Sequence, residues 1–230
     1  MNTNNTPPTR NSKLETIYLS TAYLPPIQYI SKFLISDDVQ IDLEETFLKQ
    51  SYRNRCTILG ANGTQDLTIP VIKPDGNKTK SRDVQIEYRT NWQQVHWRAI
   101  VSAYNQSPFF EILEAEFAPL FEKKPTYLFD WNAMALELVG KSIEHRFKFN
   151  YTNCFIKPSE AKNDFRNCIS PKPRLQKPDE TFNAFKYHQV FEERHGFVPN
   201  LSIIDLLFNE GPQTISICRN SINLSSNPGY

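Results

Sequence analysis

The 230-residue chain is poor in glycine, with seven against sixteen prolines. Neither G-x-G-x-x-G nor G-x-x-x-x-G-K-[S/T] occurs, which leaves out the loops that cradle phosphate with bare backbone. Cysteine is also scarce: Cys56, Cys154, Cys168 and Cys218 are scattered, and none forms a C-x-x-C pair. That spacing argues against zinc and for reduced thiols. There is no H-E-x-x-H, His188 and His195 lack helical ligand spacing, and no G-x-S-x-G elbow is present. Neither a metal, nor a cofactor, nor a legible Ser-His-Asp triad is therefore expected. No run reaches the roughly 18 apolar residues of a membrane helix. Residues 1–11 hold no apolar stretch, so no signal peptide is read and a cytoplasmic location is expected. A net charge of +1 gives no reason to expect nucleic acid or an anionic membrane as partner.

What is present is material for a core. Hydrophobic residues make up 39%, charged residues 22% and aromatics 13%, the balance of a globular chain. The organising stretch is residues 16–42. Ile17, Tyr18 and Leu19 suit a buried strand, and Pro25-Pro26 then forbids its continuation. Ile27, Ile30, Phe33 and Leu34 fall at helical spacing, and Val39 and Ile41 alternate as a second strand. A β-loop-α-β unit results. Ligands in open α/β sheets bind beyond the carboxyl ends of the strands, so a site is expected in the loop after the first strand.

The rest follows in order. Residues 1–13 read as a disordered leader. A turn at Asn62-Gly63 joins two β-rich runs into a hairpin. Val84, Ile86 and Tyr88 alternate. A helical segment spans about 91–145, and Arg146 to Tyr151 returns to strand. Residues 157–180, rich in proline, lysine and aspartate, read as an extended arm on a single α/β domain spanning 14–230. A short helix over Asn200 to Phe208, capped by Asn200, ends at Gly211-Pro212. The expected fold class is α/β, a mixed sheet with flanking helices.

Several polar residues stand out against bland alternatives. Tyr23 and Gln28, with Tyr29, either meet a polar ligand or lid the core. Asp42, at the expected end of the second strand, is a base or an edge charge. Lys49, Gln50, Arg53, Asn54 and Arg55 form the densest polar cluster. If Arg53 and Arg55 share a strand they face one side and make an anion site; otherwise they bridge loop carboxylates. Trp92 and His96 lie four apart on one helical face, with His96 either a general base or a structural histidine. Asp205 sits in an apolar run and needs a partner, for which Arg53 or Arg55 would serve. Asn200 lies near it. The proline turn, the guanidiniums and Asp205 are expected to line one cleft.

These pieces resemble the WbqC-like family. The resemblance rests on Tyr23-Leu24-Pro25 with Tyr29, Asp37-Asp38-Val39-Gln40, Tyr52-Arg53-Asn54-Arg55, Leu67 to Val71, Trp92 with His96-Trp97, and Phe197 to Phe208. The Arg-Asn-Arg and Pro-Asn-Leu-Ser-Ile-Ile-Asp-Leu-Leu-Phe stretches are the most specific. Where many members read like Q-P-x-Y-x-P, Thr21-Ala22 precedes Tyr23 here, so a role for that glutamine does not carry over. The resemblance implies a transferase passing an acyl or aminoacyl group to an amino-sugar or nucleotide-sugar intermediate in bacterial surface-polysaccharide (O-antigen) assembly. Arg53 and Arg55 would hold an anionic group, and His96, Asp42 or Asp205 would serve catalysis. The partner is then a small sugar or amino-acid derivative, and a homo-oligomer is compatible with the sequence. A non-catalytic module binding a ligand or protein stays open, as does a nucleotidyl-transfer enzyme suggested by the strand–proline loop–helix start.

Overall fold

The computed structural model describes residues 13–172 and 177–224. The expected leader up to residue 12 and residues 173–176 of the expected arm lie outside them.

The first strand, β1 (Ile17–Ser20), leads through helix α1 (Ile27–Ile35) to β2 (Val39–Asp42). β1 and β2 pair in parallel, with Ile17 opposite Val39 and Ser20 opposite Asp42. Two short strands complete the sheet: β7 (Asn150–Tyr151) beside β2 and β8 (Asn163–Asp164) beside β1, both parallel. The order is β7-β2-β1-β8. Ile17, Leu19, Val39 and Ile41 are buried, as befits parallel strands covered on both faces.

Two antiparallel ribbons lie beside this sheet, with isolated antiparallel bridges such as Pro26 to Ser202 elsewhere. β3 (Arg55–Gly60) and β4 (Gly63–Thr68) form the expected hairpin, and β5 (Val71–Ile72) pairs with β6 (Gln85–Ile86). The hairpin loop is Ala61-Asn62, and Gly63 takes φ +104, a conformation that favours glycine. The chain is thus an α/β protein with a parallel sheet, antiparallel ribbons and flanking helices.

The helical segment resolves into α2 (Trp92–Tyr104), α3 (Phe110–Phe117) and α4 (Leu128–Ser142). Trp131, Tyr104 and Phe117 from these helices are almost wholly buried. Late in the chain come α5 (Glu192–His195), α6 (Ile203–Glu210) and α7 (Thr214–Asn220). Phe208 of α6 packs edge-on against Phe110 and Phe117, at 5.2 and 5.3 Å between ring centres. No helix among the described residues is long and apolar enough to cross a membrane.

The described part of the expected arm is not extended away from the body. It supplies β8, and Ala161, Arg166, Cys168 and Ile169 within it are buried. Its far end is fixed by Asp179, whose carboxylate meets Lys32 of α1 at 2.5 Å. Lys32 Nζ also donates to Thr181 Oγ1 and sits 4.5 Å from the Phe165 ring centre. Burial lowers the pKa of this lysine, and the Asp179 charge opposes that shift.

Candidate functional site

The loop after β1 does not form the ligand site expected of it. Tyr23 N–H donates to Tyr52 O, and Leu24 is held at φ +38, an uncommon conformation for a non-glycine residue. The segment around Ser202 then closes the loop. Ile203 N–H donates to Pro25 O, Ser202 Oγ to Leu24 O, and Ile27 N–H to Leu201 O. Asn200 does not cap its own helix: α6 starts at Ile203 with Ser202 before it. Instead, Asn200 Oδ1 accepts the Gln28 N–H of α1 at 2.9 Å, and the two side-chain amides bond each other. The first N–H groups of α1, which in many α/β proteins meet phosphate, are spent on the chain's own tail.

Next to this closed loop lies an open cleft of about 460 Å³, within the usual size range for small-molecule sites. The chain just past β2 and just past β8 lines it, through Glu44, Glu45 and Arg166. Asp42, at the end of β2, accepts the Glu44 and Glu45 N–H groups and Thr152 Oγ1 through Oδ1, and Arg166 Nη1 through Oδ2. Arg166 lies just past β8. It also bonds Asp164 through Nε and Nη2 and Ile156 O through Nη1, and Ser20 Oγ at the end of β1 donates to its carbonyl. Burial pulls the Arg166 pKa down, but Asp164 and Asp42 outweigh it and the net shift is upward.

Arg53 is the second guanidinium of the cleft wall. It is 4% exposed and grips Glu45 with two bonds, Nε to Oε1 at 2.7 Å and Nη2 to Oε2 at 2.5 Å. Asn132 of α4 ties this residue to the first loop, since its Nδ2 donates to both Arg53 O and Thr21 Oγ1. Glu44 is held by Lys80 and Arg82, and the Lys80 hydrogen bond keeps its carboxyl below the usual range. The rim is apolar: Leu48 and Phe155 stand at 38% and 49% exposure.

A larger hollow of about 970 Å³ lies between the end of α4 and residues 144–150. Its charged groups, Lys141, Glu144, Arg146 and Lys148 among them, are exposed. Nothing buried and polar faces it in the way that Arg53 and Arg166 face the cleft, so the cleft is the better candidate.

The other expected site residues are placed as follows. Arg55 is on β3 while Arg53 precedes that strand, so the two do not form one fork. Arg55 bonds Asp66 and Thr68 across the hairpin. Asn54 Nδ2 donates to Ile69 O and its Oδ1 is buried without a partner. Lys49 is exposed, and Gln50 sits at φ +55 beside it. Asp42 is fully buried with its lone pairs taken, which corrects its assignment as a base.

His96 is also not poised as a base. It is 5% exposed, with Nδ1 2.9 Å from Tyr23 Oη and a bond to the Thr68 backbone. Burial depresses its pKa to about 4, and burial raises that of Tyr23. Both groups are therefore uncharged, a phenol and a neutral imidazole joined by one hydrogen bond. Trp92 and Trp131 enclose this pair, at 5.1 Å from His96 and 4.9 Å from Tyr23 between ring centres.

Asp205 finds no arginine. Tyr104 and Tyr187 hydroxyls donate to it at 2.9 and 2.6 Å. Burial raises its carboxyl to about 6, against the pull of those hydrogen bonds. Of the single cleft expected from the sequence, Thr21 at the start of the first loop and Arg53 are joined through Asn132, while the Asp205 carboxylate belongs to the core.

Arg166, Glu45, Phe155 and Asn132 were not legible as site residues. Arg166 had one signal: Asp164 and Arg166 alternate as on a strand, but the run is too polar to register as one.

The sequence pattern of the WbqC-like protein family matches residues 21–171 and 175–217, and the chain belongs to that family. It is similar to the "Uncharacterized protein Rv1507c" of Mycobacterium tuberculosis, 26% identical over 221 residues, covering 86% of this chain and 93% of that one. No solved structure matches.

Proposed function

We propose that the protein binds a small sugar or amino-acid derivative in the cleft over β1, β2 and β8 and transfers an acyl or aminoacyl group to it, as a step of bacterial surface-polysaccharide assembly. The observation that carries this reading is the wall of the cleft. Arg53 and Arg166, both nearly buried, face a space of small-molecule size just past β2 and β8. Buried charges must be paired, and here carboxylates on the same wall hold both guanidiniums in place beside the cleft.

A second reading is a non-catalytic binding protein. It is favoured by the three expected catalytic groups being engaged in internal hydrogen bonds. Nucleotidyl transfer is disfavoured, because the α1 N–H groups that would meet the phosphates are engaged by Leu201 and Asn200.

Incubation of the full chain with an activated acyl or aminoacyl donor and amino-sugar acceptors, read by mass spectrometry, separates the two. Transfer predicts an acceptor heavier by the acyl group, formed in proportion to enzyme. Saturable binding without product favours the second reading. Absence of both binding and product refutes the cleft as a site.

A further inference from the structure

We infer that the cleft recognises a single carboxylate, held on the end-on edge of Arg53, on a molecule whose apolar or ring face lies against Phe155 and Leu48, and that it rejects pyrophosphate. The inference deepens the cleft reading above and rests on it.

Donor accounting singles out Arg53. A guanidinium has five N–H donors in a fixed fork. Arg166 places four of them, on Asp164, Asp42 and Ile156. Arg53 places two, both on Glu45 and both from its Nε–Nη2 side. Its Nη1 has no hydrogen-bond partner among the described residues, so its Nη1–Nη2 edge is left for a second planar acceptor. A carboxylate fits that edge with two parallel bonds.

Charge accounting limits what binds. Around the cleft Glu45 is matched by Arg53, Glu44 by Lys80 and Arg82, and Asp42 and Asp164 share Arg166. Four carboxylates face four cations. One further negative charge can be met by the remaining Arg53 donors. The second charge of a pyrophosphate meets no surplus cation, no glycine loop and no open helix N-terminus.

The rim supplies the rest. Phe155 stands 5.5 Å from the Arg166 guanidinium carbon to its ring centre yet is 49% exposed, so one face of the ring is available. Two kinds of molecule share the required chemistry: an apolar or aromatic amino acid, and a uronic-acid sugar.

The test is calorimetry and thermal shift on the full chain at fixed low salt. The probes are N-acetylphenylalanine and its amide, glucuronic acid and glucose, and UDP-glucose. At least one acid should bind about ten- to a hundredfold tighter than its neutral mate, and which acid does so identifies the source. Phe155→Ala should weaken that binding about tenfold while leaving the melting temperature unchanged. UDP-glucose binding tighter than either acid, and weakened by Phe155→Ala, would refute carboxylate selectivity while keeping the cleft. Acid binding indifferent to Phe155→Ala would refute the cleft itself. No binding by either acid overturns the inference and leaves the transfer assay to judge the cleft.

Discussion

The Arg53–Glu45 pair gives the sharpest test of how the cleft is built. Both side chains are about 5% exposed, and apart from Arg53 the Glu45 side chain has, among the described residues, only Ser81 Oγ as a hydrogen-bond partner, at 3.4 Å. Arg53→Met keeps much of the stem and deletes the charge, leaving Glu45 buried and unpaired. Breaking a buried pair in this way costs about 3–5 kcal/mol. For a chain of this size that is a fall of roughly 6–20 °C in melting temperature. Replacing both partners by apolar side chains, as Arg53→Met with Glu45→Met, removes the uncompensated charge, so the double variant should come within about 1 kcal/mol of the parent. The backbone bond from Asn132 to Arg53 O survives in both. Urea unfolding with a common m-value gives the three free energies. A single variant that loses less than about 1 kcal/mol, or a double variant that loses as much as the single one, refutes the buried-pair account. The consequence for function is practical. Alanine at Arg53 destabilises as well as disarms, so loss of activity in that variant alone does not isolate binding. The stable double variant, which lacks the guanidinium, is the one in which lost binding is informative.

Three further outcomes follow from other groups. Asp205, raised to about 6 by burial, holds a proton in the folded state that the unfolded chain releases near pH 4. Its contribution to stability therefore falls as pH rises from about 4 to 6, by about 3 kcal/mol. The stability of Asp205→Asn relative to the parent should climb across that window, and a flat difference refutes the shift. His96 behaves oppositely. With its pKa depressed to about 4, the folded state binds fewer protons than the unfolded one between pH 4 and 6.5. Its contribution is whole above pH 6.5 and is lost by about 3 kcal/mol as pH falls toward 4. An NMR titration should find its half-point below pH 5, and a half-point above 6 refutes the buried neutral ring. Asn200→Gly keeps the φ of +57 accessible while deleting the cap on Gln28, and should cost about 0.5–1 kcal/mol by urea unfolding. No loss would mean that the hydrogen bond from Asn200 to α1 contributes nothing.

The legible parts of the fold were those with apolar period. The β1–α1–β2 unit and α2 to α4 announce themselves through Ile17, Ile30, Ile100 and Leu128, because burial writes itself as spacing. β8 is two polar residues, Asn163-Asp164, and is held by hydrogen bonds to β1 rather than by apolar pattern. A polar strand and a polar loop look alike in sequence, and so the arm concealed Arg166. The same limit governs the site. Arg53 was found because arginines cluster there, but its partner Glu45 and the partners of Asp205 are pairings across the fold. Asp205 required a counter-group, as its apolar surroundings indicated. That the group would be two tyrosine hydroxyls, from residues 104 and 187, is decided by packing.

The closed first loop explains where the cleft must be. In an open parallel sheet the crevice forms where neighbouring connections leave in opposite directions. Here β1 has β2 on one side and β8 on the other, so the edge between them is such a point. The tail segment at 200–203 fills the space in front of α1 and uses its N–H groups. In the proposed reading the ligand lies to the side, toward the ends of β2 and β8, where no helix N-terminus is offered among the described residues. Whatever attracts a negative group there must be a side chain. That is the role left to Arg53, and it is consistent with a chain that has so few glycines: a backbone cradle needs them, whereas a guanidinium fork on a buried turn does not.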